Sequence, residues 1–190
     1  MISVVKRNGV VEPLNLDKLH RMVEFACDGL AGVSESAIEM NSNLQFYEHI
    51  MTSDIQEILI KSANDLITLE QPNYQYVAAR LLLFSYRKSV YKGHPDNPPP
   101  LIEHIKECIA KGVYDPDLIK QYSEEEWSEL HDFIDWDRDY LFTYAGLRQV
   151  VDKYLVQDRS TGEVFETPQQ MYMLIAATLF QNNPIESRID

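Results

Sequence analysis

The chain is short of cysteine, of basic residues and of any self-contained catalytic motif. Its two cysteines, Cys27 and Cys108, form neither a Cys-x-x-Cys pair nor part of a cysteine cluster, which excludes a disulfide framework and a thiolate zinc site. They read as buried, reduced packing residues of a cytoplasmic chain. No apolar run approaches the ~20 residues of a membrane-spanning helix, and no cationic start followed by an apolar stretch marks a leader. Lys and Arg number 17 against 30 Asp and Glu, a net charge of −13, which argues against nucleic acid or an anionic membrane as partner. Gly-rich phosphate loops, nucleophile elbows and His-Glu-x-x-His motifs are all missing from the sequence. The five histidines, His20, His49, His94, His104 and His131, are scattered and read as no metal site.

A hydrophobic share of 45% with 11% aromatics belongs to a folded chain with a real core. Its charge is uneven. Residues 1–92 carry nine Lys/Arg against eleven Asp/Glu, while residues 93–190 carry eight against nineteen. The back half is thus an acidic solvated body, and the basic residues at the front are available to one local anion.

The opening Val4-Val5 and Val10-Val11 flank Asn8-Gly9, the pattern of a two-residue type I′ hairpin. Asn15 stands at a helix N-cap with Asp17 in the first turn. Leu19, Met22, Val23, Ala26 and Leu30 follow at helical spacing, and Gly29 ends that helix. A second helix starts near Ser34, with Ser36 and Glu39 at capping-box spacing and Ile38, Leu44 and Phe46 inward. A third starts at Thr52 or Ser53, with Gln56 in the matching place. A fourth runs from Pro72 through Val77 and Leu81 to Arg87-Lys88, and Gly93 stops it. The fold expected is mainly α: a hairpin with four helices over residues 1–93, a proline-rich linker at 94–100, and a helical domain with a small hairpin over 101–190.

In that second part Leu101, Ile105 and Ile109 make one helix and Asp115-Pro116 opens another. Ser123 with Glu126 forms a capping box ahead of Trp127 and Leu130, and Thr167-Pro168 starts a last helix over Met171 and Leu174. The acidic run Glu124-Glu125-Glu126 suits a helix N-terminus better than a metal. Asn183-Pro184 resembles a further helix start with only Ile185–Asp190 behind it, which reads as a fragment or split gene product.

One chemistry remains. Lys6, Arg7 and Lys18 surround a helix N-terminus, Thr52 begins a second, and Lys88 ends a basic turn. A fold that brought these together would hold a triphosphate from several sides. The plainer reading, a hairpin with solvated basic residues, stays open on this evidence.

The stretch Val5-Lys6-Arg7-Asn8-Gly9 with Glu12 and Asn15-Leu16-Asp17-Lys18-Leu19 resembles the ATP-cone, the regulatory domain at the front of ribonucleotide reductase large subunits. Thr52-Ser53-Asp54-Ile55-Gln56, Tyr74-Gln75-Tyr76-Val77-Ala78-Ala79-Arg80 and Lys153–Arg159 extend the likeness along essentially the whole chain, toward the class I enzyme. The resemblance implies that Lys6, Arg7, Thr52 and Lys88 meet effector phosphates and that Glu12 and Asn15 read adenine. It places Lys18 at a ribose or phosphate and makes Val4, Leu14 and Leu19 apolar walls. Gln56 departs from the pattern, because well-known bacterial members carry a phosphate-contacting His there, and Gln donates a hydrogen bond without becoming charged.

The implied effectors are ATP as activator and dATP as inhibitor, each with Mg²⁺. The implied partners are the rest of the large subunit with its catalytic barrel, the radical-bearing small subunit and further large subunits. Neither Cys27 nor Cys108 matches a catalytic cysteine of the family, so the chain alone is expected not to reduce ribonucleotides. An assembly fragment that no longer binds nucleotide is the alternative.

Overall fold

The computed structural model describes residues 2–6, 8–184 and 187. Arg7, and the helix expected after Pro184, lie outside the described residues. The chain divides into two compact units, Met1–Ser85 with Tyr140–Leu147 and Tyr86–Asp139 with Arg148–Asp190. The first division falls inside a helix, so the proline-rich segment 94–100 is part of the second unit.

The first unit holds strands β1 (Ser3–Val5), β2 (Val11–Pro13) and β3 (Ile50–Met51) and helices α1 (Leu16–Cys27), α2 (Glu35–Asn43) and α3 (Thr52–Asp65), with most of α4 (Tyr74–Val90). The sheet order is β2-β1-β3. β1 and β2 are antiparallel with Val4 opposite Glu12, and β1 and β3 are parallel with Val4 beside Ile50. The sequence reading lacked β3, because two residues make no period of their own and their pairing is non-local.

The hairpin also differs from expectation. Lys6 N–H donates to Val10 O at 2.9 Å and Gly9 N–H to Lys6 O at 2.8 Å, so three residues join the strands, with Gly9 at φ +81°. That is the three-residue loop closed by a left-handed glycine, in place of the two-residue turn. Asn8 Oδ1 accepts from Val10 N–H at 3.2 Å.

α4 is the spine of the first unit. Tyr74, Val77, Ala78, Leu81 and Leu83 along it are at most 1% exposed. Polar groups on α4 tie down the link between α1 and α2: Tyr74 Oη accepts from Ser34 N–H at 2.9 Å and Arg80 Nη1 donates to Asp28 O at 2.6 Å. The Arg80 bond satisfies a carbonyl just beyond α1, where no basic residue of α1 itself lies in the last turn.

Ser34, not Ser36, caps α2, accepting from Ala37 N–H at 3.3 Å. Glu39 instead holds His20 of α1, Oε1 to Nδ1 2.7 Å. Leu44, expected inside, is 83% exposed just past the helix.

The second unit holds α5 (Leu101–Ala110), α6 (Glu124–Asp132) and α8 (Pro168–Phe180), with 3-10 turns and the second half of α7 (Tyr144–Lys153). Leu101, Ile105, Trp127, Leu130 and Leu174 form its core. The expected capping box of Ser123 with Glu126 is present, α8 starts at Thr167-Pro168 as expected, and the structure adds a box there that the sequence reading did not name, Thr167 with Gln170. The helix expected from Asp115 is a four-residue 3-10 turn at Leu118–Gln121. The Asp115 carboxylate folds onto Asp117 N–H at 2.8 Å, offering the backbone a turn in place of a helix. The small hairpin is reduced to one antiparallel bridge, Gln157 with Val164.

Candidate functional site

The parallel pairing of β1 and β3 sets the site. Val5 lies beside Met51, so the residues that follow, Lys6 and Thr52, leave the sheet at the same end. Thr52 is the first residue of α3, and no side chain caps that helix from Met51. The expected Ser53 and Gln56 box does not form: Ser53 Oγ donates to Asp54 Oδ1 at 3.2 Å and Gln56 Nε2 to Leu81 O of α4 at 2.9 Å. Amide N–H groups of the first α3 turn therefore face outward at the carboxyl ends of two parallel strands, where an anion gains both donors and the dipole. Asp54 offsets part of that field, and Tyr47 Oη donates to its Oδ2 at 3.4 Å.

Alternation along the hairpin puts Val4, Lys6 and Glu12 on one face of the sheet. Val4 is 3% exposed, and its neighbour Ile50 is fully buried. Lys6 Nζ sits 2.8 Å from Glu12 Oε2 at the rim of that face. β2 then feeds α1, where Asn15 Oδ1 caps Lys18 N–H at 3.0 Å. That bond occupies the Asn15 carbonyl, and the amide Nδ2 is the remaining donor. Leu19 is buried, Leu14 is half-buried, and Lys18 is exposed.

The structure thus gathers Lys6, Glu12, Val4 and Thr52 around β1, with Asn15 and Lys18 at the start of the next helix. Gln56 is turned to α4 instead. Lys88 is exposed on the last turn of α4, in the second unit. What sequence reasoning missed is the clamp ahead of β3. Ser3 N–H donates to Glu48 Oε1 at 3.2 Å, and His49, at φ +64°, donates its N–H to Ser3 O at 2.8 Å. Hydrogen bonds from Ser3 hold the Glu48 carboxyl below the usual carboxylate range. The sequence signal for this clamp was faint: one Ile-Met pair ahead of a helix start.

A second polar cluster lies in the second unit. His104 and Cys108 stand four residues apart on α5, a helical metal-pair spacing that the reading of scattered histidines passed over. His104 Nε2 lies 3.7 Å from Cys108 Sγ and 3.4 Å from Tyr114 Oη. Tyr114 donates in turn to Glu166, whose Oε1 accepts from Val156 N–H at 2.9 Å. Burial pushes the Cys108 thiol up to about 11 and His104 down to about 4, so the thiol is protonated and inert at neutral pH. Among the described residues no three metal-ligating groups converge. The cluster is a satisfied core network.

Residues 2–89 match the ATP cone domain family, and residues 140–190 match the ribonucleotide reductase all-alpha domain. The ATP-cone is in general a nucleotide-regulatory domain. The chain belongs, by these two matches, to the ATP-cone-bearing N-terminal region of ribonucleotide reductase alpha subunits. It is 48% identical over 189 residues to the ribonucleoside-diphosphate reductase subunit alpha of Haemophilus influenzae, covering all of this chain and 25% of that protein. To subunit alpha of ribonucleoside-diphosphate reductase 1 of Escherichia coli it is 48% identical over 188 residues, 99% of this chain and 24% of that one. To the alpha subunit of phage T4 it is 40% identical over 98% of its length, again 24% of the relative. The chain therefore spans about a quarter of the length of the curated relatives it matches. Among the described residues no helix is long and apolar enough to cross a membrane.

Proposed function

We propose that the first unit binds an adenine nucleotide, ATP or dATP with Mg²⁺, and that this occupancy controls ribonucleoside-diphosphate reduction by a complete reductase alpha subunit. The observation that carries the reading is the exit of Lys6 and Thr52 side by side from parallel strands. Thr52 opens a helix that no side chain caps, inside the segment matched as an ATP-cone, which supports the reading. A triphosphate needs N–H donors and cations together. α3 offers the donors and Lys6 the charge. On binding, Lys6 exchanges Glu12 for phosphate, and the released carboxylate accepts from the adenine amino group while Asn15 Nδ2 donates to a ring nitrogen. Val4, Leu14 and Leu19 wall the base, and Lys18 meets the ribose or a phosphate. ATP activates and dATP inhibits in this scheme, in the cytoplasm. The wider partners are the remaining alpha-subunit polypeptide, a radical-bearing small subunit and further alpha subunits.

Thermal unfolding of the 190-residue chain with ATP or dATP and Mg²⁺ tests the reading. A ligand at a hundred times its Kd adds ~2.7 kcal/mol, a clear rise in midpoint. No rise with either nucleotide refutes it. A second reading, an assembly module without nucleotide binding, is supported by the engagement of Lys6 with Glu12 and of Gln56 with Leu81 O, which leaves both side chains already partnered within the chain. It requires that absence of shift, together with copurification of the chain with a reductase polypeptide.

A further inference from the structure

β3 is two residues long, Ile50–Met51, and pairs in parallel with β1. A slip of one residue would exchange Ile50, which is fully buried, with Met51, which is 46% exposed. Both are apolar, so side-chain character alone does not choose between the two registers. Such a slip would also carry the start of α3 ~3.3 Å along β1, more than hydrogen bonds to a shared anion tolerate. The register needs a stop outside the two-residue ladder.

The segment ahead of β3 supplies one. Ser3, the first residue of β1, has both backbone groups taken: its N–H donates to Glu48 Oε1 at 3.2 Å, and its carbonyl accepts from His49 N–H at 2.8 Å. His49 reaches that carbonyl from a left-handed backbone, φ +64°, which a residue with a Cβ rarely holds unless its surroundings fix it. Tyr47 of the same segment donates to Asp54 Oδ2 in the first turn of α3 at 3.4 Å. Residues 47–49 thus grip the start of β1 and the start of α3 at once.

We propose that Glu48 is a positioning residue of the nucleotide site, fixing the β1–β3 register that sets the start of α3 relative to Lys6. Glu48 itself meets no phosphate. It bonds at the Ser3 end of β1, ~10 Å along the strand from Lys6, and an ionised carboxylate has only acceptors to offer. Its part is geometric. The inference rests on the reading of the first unit as an adenine-nucleotide site and names what holds that site in shape.

The test compares Glu48→Ala and Glu48→Gln with the parent 190-residue chain. Glu48 is exposed, so both variants are expected to fold, and Gln keeps an oxygen that accepts from Ser3 N–H while losing the charge. Two quantities are measured at a temperature where circular dichroism shows all three proteins folded: amide hydrogen exchange of residues 49–51 without nucleotide, and the Kd for ATP with Mg²⁺ by calorimetry. We expect at least tenfold faster exchange and at least fivefold weaker ATP binding in Glu48→Ala, with Glu48→Gln within twofold of the parent in both. A role in stability alone would leave the Kd of the folded protein unchanged. Parental exchange in Glu48→Ala overturns the proposal whatever the nucleotide does. Tighter ATP binding in both variants overturns it as well, because Glu48 then acts by repelling phosphate. If the parent binds ATP and Glu48→Ala binds it equally, this proposal fails and the effector reading stands. If the parent binds no ATP, the effector reading fails and takes this proposal with it.

Discussion

Lys6 Nζ and Glu12 Oε2 form a 2.8 Å ion pair diagonally across the β1–β2 ladder, on the same face of the sheet as buried Val4. Both side chains keep about a third or more of their surface in water, 41% for Lys6 and 34% for Glu12. Exposed pairs of this kind contribute ~0–1 kcal/mol to stability. Lys6→Ala is therefore expected to change the urea unfolding free energy by less than ~1 kcal/mol while removing the ATP-induced thermal shift. A variant that keeps the shift rejects Lys6 as a phosphate contact.

Gln56 separates two roles. Its bond to Leu81 O joins α3 to α4, and Gln56→Ala is expected to cost ~1 kcal/mol. Gln56→His places a group of pKa near 6.5 at the start of α3. If phosphate is bound there, the ATP shift of Gln56→His grows between pH 8 and pH 6 relative to the parent chain, because the protonated ring is the form that attracts phosphate. Parallel pH profiles for the two proteins would place the phosphates elsewhere.

Asn15 both caps α1 and is the proposed adenine reader. Asn15→Ala removes the cap at a cost of ~1 kcal/mol, whereas Asn15→Ser retains a capping oxygen. The expected result is a stable Asn15→Ser protein with a weakened response to ATP. Full response in Asn15→Ser, measured by calorimetry, would leave Asn15 a cap and nothing more. Lys88→Ala is assayed the same way, and loss of the ATP shift is the result expected if Lys88 meets a phosphate.

The legible parts of this molecule are those that local chemistry decides. Ser123 with Glu126 caps α6 as their spacing says, Thr167-Pro168 opens α8, and Val77 and Leu81 lie on the core side of α4. Errors occur where a distant residue competes. Glu39 reads as the N3 partner of Ser36, yet His20 of α1 takes it. Gln56 reads as the partner of Ser53, yet a carbonyl of α4 takes it. β3 is only two residues long and is made by its register with β1. Since that register is what makes Lys6 and Thr52 leave the sheet at the same end, the residue types of the proposed site could be read from sequence but this placement could not.

His104 gives the chain a distinct acid response. Burial holds its folded-state pKa at about 4 against an ordinary 6.5, because the imidazolium is costly on the buried side of α5. Above pH 6.5 the ring is neutral both folded and unfolded, and it has no effect on stability. As pH falls from 6.5 toward 4 the unfolded chain takes up a proton that the folded chain refuses, so stability is lost across that window and no further below it. A shift of this size is worth roughly 3 kcal/mol. Glu166, whose carboxyl burial raises, titrates in the opposite sense, and the informative quantity is thus the difference between the parent chain and His104→Gln. Urea unfolding from pH 7.5 to pH 4 is expected to show that difference moving in favour of His104→Gln by a few kcal/mol as pH falls. A difference independent of pH, or an imidazole that titrates near 6.5 by NMR in the folded chain, would show that His104 protonates freely where it lies.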